Sequence, residues 1–253
     1  MKIALCQYSP EWENRKASRD KISSMLSEYE KEINGCEWLA FSEMTLSGFT
    51  MNRTASELNE EDHSFFRNIA EKHSCAISYC GAEDGFNTFF FIGPDGAVKA
   101  KYHKNHLFSY AGEDKFYKSG NSKTNIKYKG LRISPAICFD LRFPYLFWEQ
   151  AKDTDIYIVP AAWPEARIEQ WKALLKARAI ENQAYVAGIN RTGAEPAGSG
   201  AKLKYSGGTM LVDPLGSCIL DAEDKEGLFA AEINPSLPEL IRRQFPFMKE
   251  RRK

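Results

Sequence analysis

Nine apolar runs of strand length punctuate the chain, at 2–7, 37–42, 75–81, 88–93, 131–138, 155–161, 184–190, 208–213 and 228–233. Between several of them the apolar positions recur at helical spacing instead of running on. Residues 15–33 are polar with an apolar stripe, and 60–73 carry Phe65, Phe66, Ile69 and Ala70. The clearest helix spans 165–182, where Ile168, Trp171, Leu174, Leu175 and Ala179 repeat on one face. Gly93-Pro94-Asp95-Gly96 and Asp213-Pro214-Leu215-Gly216 read as turns. Strand and helix alternate through the first half and strands crowd the second. With no internal repeat, low-complexity stretch or linker, the pattern predicts one α/β domain over 1–253.

Composition narrows the function classes. The 253 residues are 43% hydrophobic and 27% charged, ordinary for a globular protein. The 34 basic residues balance 34 acidic ones, which argues against nucleic acid as a partner, since phosphate binding needs a basic surface. The basic run Lys249–Lys253 is short and reads as a frayed tail. No apolar stretch approaches the ~18 residues of a membrane span, and Met1–Gln7 reads as a first strand, not a signal segment. Cysteines stand at 6, 36, 75, 80, 138 and 218, without Cys-x-x-Cys or zinc-type Cys/His spacing. Cys75 and Cys80 read as small core residues. No metal, no cofactor and a reduced, cytoplasmic setting are the expectations. The absence of a Gly-rich phosphate loop disfavours an ATP-dependent amidotransferase.

Candidate chemistry collects where strands end. Ile133-Ser134-Pro135-Ala136-Ile137-Cys138-Phe139-Asp140-Leu141-Arg142-Phe143-Pro144 carries a thiol to a strand end, before a helix that Pro144 opens. A thiol so placed is favoured as a nucleophile by positive potential from a helix start or a neighbouring cation. Against that stands a buried structural cysteine, since free Cys is among the most buried residue types. Glu43 follows the run Leu39-Ala40-Phe41, and Lys104 follows the hairpin around Phe89-Phe90-Phe91-Ile92. A thiol, a carboxylate and an ammonium at strand ends that met on one sheet edge would supply a nucleophile, a base and an electrophile.

In four blocks the chain resembles the nitrilase superfamily of carbon–nitrogen hydrolases. They are Ser42-Glu43-Met44 with Ser47-Gly48-Phe49, Tyr102 to Phe108, Ile137 to Pro144, and Ala177 to Val186, all in the family's order. Ala161-Ala162-Trp163-Pro164, Gln170-Trp171 and Ala187 to Arg191 narrow the resemblance to bacterial ω-amidase-like amidohydrolases. The resemblance implies a four-layer α-β-β-α sandwich. It implies Cys138 as nucleophile, Glu43 as general base and Lys104 as oxyanion stabiliser, with the Phe139 N–H as second oxyanion donor. Glu113, seven residues before Gly120, matches the family's second glutamate. There it would hold the ammonium and order the hydrolytic water; a carboxylate at a helix start, with Asp114 as competitor, is the other reading.

Several residues keep two readings. Arg142 either recognises a substrate carboxylate or pairs with Asp140 to hold the turn. Trp163 is a pocket wall or core; Phe49 is a pocket contact through the resemblance. Arg178 and Glu181, three apart, read as a salt bridge. His103 and His106, with His63 and His73, leave room for a Cys–His hydrolase. A different amidase or carbamoylamine hydrolase, a nitrile-hydrolysing enzyme and a non-catalytic scaffold also stay open. The resemblance implies a small carboxylate-bearing amide as substrate, with water. The apolar face of 165–182 and Leu240, Ile241, Phe245 and Phe247 point to a homodimer.

Overall fold

A computed structural model describes residues 1–196 and 202–251. Its strands are β1 (Lys2–Gln7), β2 (Trp38–Ala40), β3 (Ala76–Glu83), β4 (Phe86–Ile92), β5 (Val98–His103), β6 (Ile126–Tyr128) and β7 (Leu131–Pro135), then β8 (Ile156–Pro160), β9 (Tyr185–Ile189), β10 (Thr192–Pro196), β11 (Lys202–Ser206), β12 (Met210–Val212), β13 (Cys218–Asp221) and β14 (Gly227–Glu232). They form a sheet of order β14-β1-β2-β3-β4-β5, a second of order β13-β12-β9-β8-β7-β6, and the separate hairpin β10-β11. In each large sheet three inner strands run parallel and the outer pairs antiparallel.

Side-chain alternation sorts the core into layers. Ile3, Leu5, Trp38, Phe89 and Phe91 of one sheet meet Ile133, Ile156, Ile158, Tyr185 and Leu211 of the other in the central layer. The opposite parity, Ala4, Cys6, Leu39, Ile77 and Phe90, packs under Ile22, Met25 and Leu26 of helix Arg15–Glu28 and under Phe66 and Ile69 of helix Glu60–His73. On the far side Tyr157, Val159, Val186 and Val212 carry helices Pro144–Gln150 and Ile168–Asn182 through Phe147, Trp171 and Leu175. The result is the expected α-β-β-α sandwich.

Each predicted run holds a strand, but β5, β6, β10, β11 and β13 fall outside them. β5, β6 and β13 are three of the four edges of the two sheets. Edge strands need only one apolar face and tolerate lysine on the other, as in Val98-Lys99-Ala100-Lys101-Tyr102-His103. Residues 15–33 divide at Tyr29, and the long helix starts at Ile168, after a 3-10 turn at Glu165–Arg167. The frayed-tail reading fails as far as Arg251, whose guanidinium lies 3.7 Å from the Trp148 ring and donates to the Glu181 carbonyl at 2.6 Å. Arg252 and Lys253 of that run lie outside the described residues.

Candidate active site

Three parallel strands and one edge strand deliver the candidate groups to one place. β2 stops at Ala40, so Phe41 and Ser42 leave the sheet and carry Glu43; β7 stops at Pro135 and leads to Cys138; β8 leads through Ala162 to Trp163; β5 ends one residue before Lys104. The carboxyl ends of strands in open sheets are where fixed side chains and free loops coincide.

Glu43, Lys104 and Glu113 are all fully buried. Lys104 Nζ donates to Glu43 Oε1 at 2.8 Å and to Glu113 Oε1 and Oε2 at 3.0 and 2.9 Å. Glu43 Oε2 accepts the Ala162 amide at 2.9 Å, and Glu113 Oε2 accepts the Phe108 amide at 2.6 Å. Burial works against the ammonium, but Glu113 and then Glu43 outweigh it and hold its pKa above the ordinary lysine range. Asp114, the competitor, is exposed, so Glu113 alone is turned inward. Gly120 anchors the far end of this loop: its N–H donates to the Lys104 carbonyl at 2.8 Å, and a Cβ there would collide with the His103 carbonyl.

Asn87 is the member that sequence reasoning missed. Its Nδ2 donates to Glu43 at 2.8 Å and to Glu113 at 3.0 Å, so it bridges the two carboxylates from the floor of the site. The signal was present: one amide inside the aromatic run Phe86–Ile92, where a buried polar group demands partners.

Cys138 heads a 3-10 turn, Cys138–Arg142, with φ of 46°. A side chain in this left-handed region costs on the order of 1–2 kcal/mol, which the surrounding contacts must hold. The residue is half-buried and lines the pocket. Burial, then the Glu43 carboxylate, push its pKa well above the ordinary value, against the opposing pull of Lys104. The resting site therefore holds a thiol next to a carboxylate, not a free thiolate. The Phe139 amide is second in the turn, where no carbonyl of the turn can accept it.

The Asp140–Arg142 ion pair is not found. Asp140 accepts instead from the Ile137 and His106 amides at 2.9 and 2.8 Å, from the Tyr102 hydroxyl at 2.8 Å, and pairs with His106 Nδ1 at 2.7 Å. Arg142 turns the other way, donates to Gln170 Oε1 at 2.5 Å, and lies 4.8 Å from the Trp163 ring centre. Arg178 does pair with Glu181, at 3.0 Å, and also donates to the Leu141 carbonyl, so the long helix grips the nucleophile turn. The Cys–His reading loses its partners: His63 bonds Tyr79, His103 bonds Thr88 and stacks on Phe86, and His106 is held by Asp140 and stacks on Phe143.

A pocket of about 690 Å³ opens over Cys138, walled by Phe49, Phe108, Phe139, Trp163 and Tyr205, with Arg142 and Arg167 at its side. Trp163 is also buried against Trp171, so both of its readings hold. The volume exceeds what a five-carbon amide fills, within the usual range of ligand pockets. The aromatic walls therefore leave room for more than the smallest amides.

A family model described as carbon-nitrogen hydrolase matches residues 2–243. The chain belongs to the carbon–nitrogen hydrolase family. This hydrolase is 35% identical to the omega-amidase YafV of Escherichia coli K12, over 97% of this chain and 94% of that one. It is 29% identical to the 2-oxoglutaramate amidase of Bacillus subtilis 168, over 88% of each. Among solved structures it resembles XC1258 of Xanthomonas campestris, a CN-hydrolase superfamily protein with an arsenic adduct in its active site, with a TM-score of 0.91, 30% identity, and coverage of 100% and 97%. The nitrilase-superfamily membership expected from the four sequence blocks is thereby established.

Proposed function

We propose that this hydrolase cleaves a small carboxylate-bearing amide, an ω-amide such as a 2-oxo acid monoamide, to acid and ammonia through a Cys138 thioester. The observation that carries the chemistry is the sealed Glu43–Lys104–Glu113 arrangement at the strand ends that also bring Cys138 to the pocket. The substrate class rests on the activities for which its relatives are named and on a cationic pocket wall.

In the proposed cycle, Glu43 takes the Cys138 proton as sulfur attacks the amide carbon. The carbonyl oxygen becomes an oxyanion, stabilised by the Lys104 ammonium and the Phe139 N–H. The tetrahedral species collapses, and Glu43 returns its proton to the departing nitrogen, which leaves as ammonia. Water enters, Glu43 deprotonates it, and hydroxide attacks the thioester. The acid departs as Cys138 recovers its proton. Glu113 and Asn87 keep Lys104 and Glu43 aimed; Glu113 also serves as the second carboxylate that orders the water.

Arg142, set on Trp163, is the proposed anchor for the substrate carboxylate, with Phe49 and Phe139 flanking the chain. The helices beside the nucleophile turn leave Tyr145, Trp148 and Ile180 exposed, and the C-terminal turn leaves Phe247 exposed, which supports a homodimer. Six unpaired cysteines, Cys218 among them exposed, support a reducing, cytoplasmic setting. Among the described residues no helix is long and apolar enough to cross a membrane.

Ammonia release from a panel of 2-oxo acid ω-amides, carbamoyl amines and nitriles tests the reading. Turnover of the ω-amides is expected. Turnover of carbamoyl amines or nitriles in preference to them would overturn it and move the enzyme to that substrate class.

A further inference from the structure

Outside the pocket, the buried and half-buried arginines among the described residues are paired with acids, except Arg251, whose guanidinium donates to the Trp148 and Glu181 carbonyls and to Asn182. Arg19 meets Asp62, Arg132 and Arg242 share Asp155, Arg178 meets Glu181, and Arg191 meets Glu195. Arg142 and Arg167 both line the pocket above Cys138, and among the described residues neither has a carboxylate within salt-bridge distance. The undescribed stretch 197–201 reads Ala-Gly-Ser-Gly-Ala and contains no acid.

The two acids of the pocket are already engaged. Glu195 accepts from Arg191 and from the Tyr205 hydroxyl, and Glu13 from Thr50 at 2.5 Å and Asn52 at 3.1 Å. Neither neutralises the two guanidinium groups, and each guanidinium repels the other: burial and then the charge of Arg167 hold the Arg142 pKa below its ordinary value.

Trp163 joins the pair. Its ring carries the Arg142 guanidinium, and its indole N–H donates to the Arg167 carbonyl at 2.8 Å. Arg167 in turn lies 5.5 Å from the ring centre of Phe108, another wall of the pocket. Two cations fixed on aromatic surfaces, short of a counter-charge, form a receptor for an anion.

We infer that Arg167 is a specificity-determining residue that works with Arg142 across Trp163, so that the substrate must carry a carboxylate at the end remote from its scissile amide. This inference rests on the ω-amide reading above and adds a residue and a charge requirement to it. In a pocket wide enough for larger ligands, selection then comes from charge rather than size.

The test compares the wild type with Arg167→Gln and Arg167→Lys, at two levels. First, 2-oxoglutarate is titrated as a dianionic probe that protects Cys138 from iodoacetamide, with glutaramide, the neutral diamide, as control. Arg167→Gln should weaken protection by 2-oxoglutarate about tenfold or more, with partial recovery in Arg167→Lys and little change for glutaramide. Equal protection in Arg167→Gln and wild type, or an equal loss for both probes, would overturn the inference. Second, for the monoamide of 2-oxoglutarate, the loss in kcat/KM should fall on KM with kcat nearly kept. If the wild type is protected in an Arg167-dependent way but releases no ammonia from that amide, the ω-amide reading falls and the anion receptor stands. If it releases ammonia and Arg167→Gln leaves kcat/KM unchanged, the receptor falls and the reading stands.

Discussion

Asp140, two residues after Cys138, accepts the backbone N–H of His106, two residues after Lys104, at 2.8 Å. One buried carboxylate thus ties the turn that bears the thiol to the segment that bears the ammonium, across two different sheets. Asp140→Ala would leave the Ile137 and His106 amides and the Tyr102 hydroxyl without their acceptor. We expect a loss of roughly 2–4 kcal/mol in unfolding free energy by urea titration. In the fraction that stays folded, kcat should fall about tenfold or more, with KM little changed, because the brace sets geometry and does not touch substrate. Asp140→Asn, which keeps one acceptor oxygen, should recover part of both.

Cys138→Ala should abolish ammonia release and leave the urea midpoint close to that of the wild type, since a half-buried residue loses little packing. Iodoacetamide that inactivates the wild type should map to Cys138 by mass spectrometry. Cys6, Cys36, Cys75, Cys80 and Cys218 should be replaceable by Ser or Ala one at a time with turnover kept.

The thiol pKa values make stability fall in alkali. Burial pushes the thiols of Cys6, Cys80 and Cys138 well up, and that of Cys75 up to about 12. In the unfolded chain each ionises near ~8.5, so between that pH and the folded value the native state holds more protons than the unfolded state. Stability is therefore full below about pH 8.5 and declines above it. Each such thiol contributes about 1.4 kcal/mol per pH unit to the slope. Between about pH 9 and 10.5, Cys138→Ala should be less steep than wild type by one such increment, measured by urea unfolding in a pH series.

Much of this was legible in the chain because central strands are continuous apolar runs, and those runs end at Glu43, Cys138 and Trp163. The edges were not, because β5, β6 and β13 bury one face or less. Asn87 was missed for a different reason: it is the second residue of β4, one position ahead of the apolar run that reads as that strand. Arg142 and Asp140 were seen as neighbours in sequence, and only the 3-10 turn shows that they point apart, one to the pocket and one to His106. Arg167 carries no local signal, since its place beside Arg142 depends on how β8 and the turn after Pro164 come round to the nucleophile.

The proposed homodimer has its own check. Light scattering at micromolar concentration should give twice the 28.7 kDa chain mass. Ile180→Glu and Tyr145→Glu place a charge on the exposed apolar face and should shift the protein toward monomer, with the fold retained by circular dichroism.

Lys104 makes the sharpest prediction, because it sits between two buried carboxylates. With Glu43 and Glu113 ionised, its ammonium leaves the cluster one negative charge in excess, and Asn87 and the Ala162 and Phe108 amides share that excess. Lys104→Met removes the cluster's cation and leaves two like charges out of contact with water. The expected loss is roughly 3–5 kcal/mol near neutral pH, along with loss of turnover. The pH dependence separates this from a simple packing defect. In the variant one carboxyl must stay protonated to fold, so its folded pKa rises above the ordinary ~4.3. The variant should then lose stability as pH climbs from about 4 toward neutrality, where the wild type's Lys104 contribution is complete. Lys104→Met combined with Glu113→Gln removes the second charge and should flatten that slope and recover part of the lost stability, without restoring activity. A flat slope in the single variant would mean that the two carboxylates are not in electrostatic contact once the ammonium is gone.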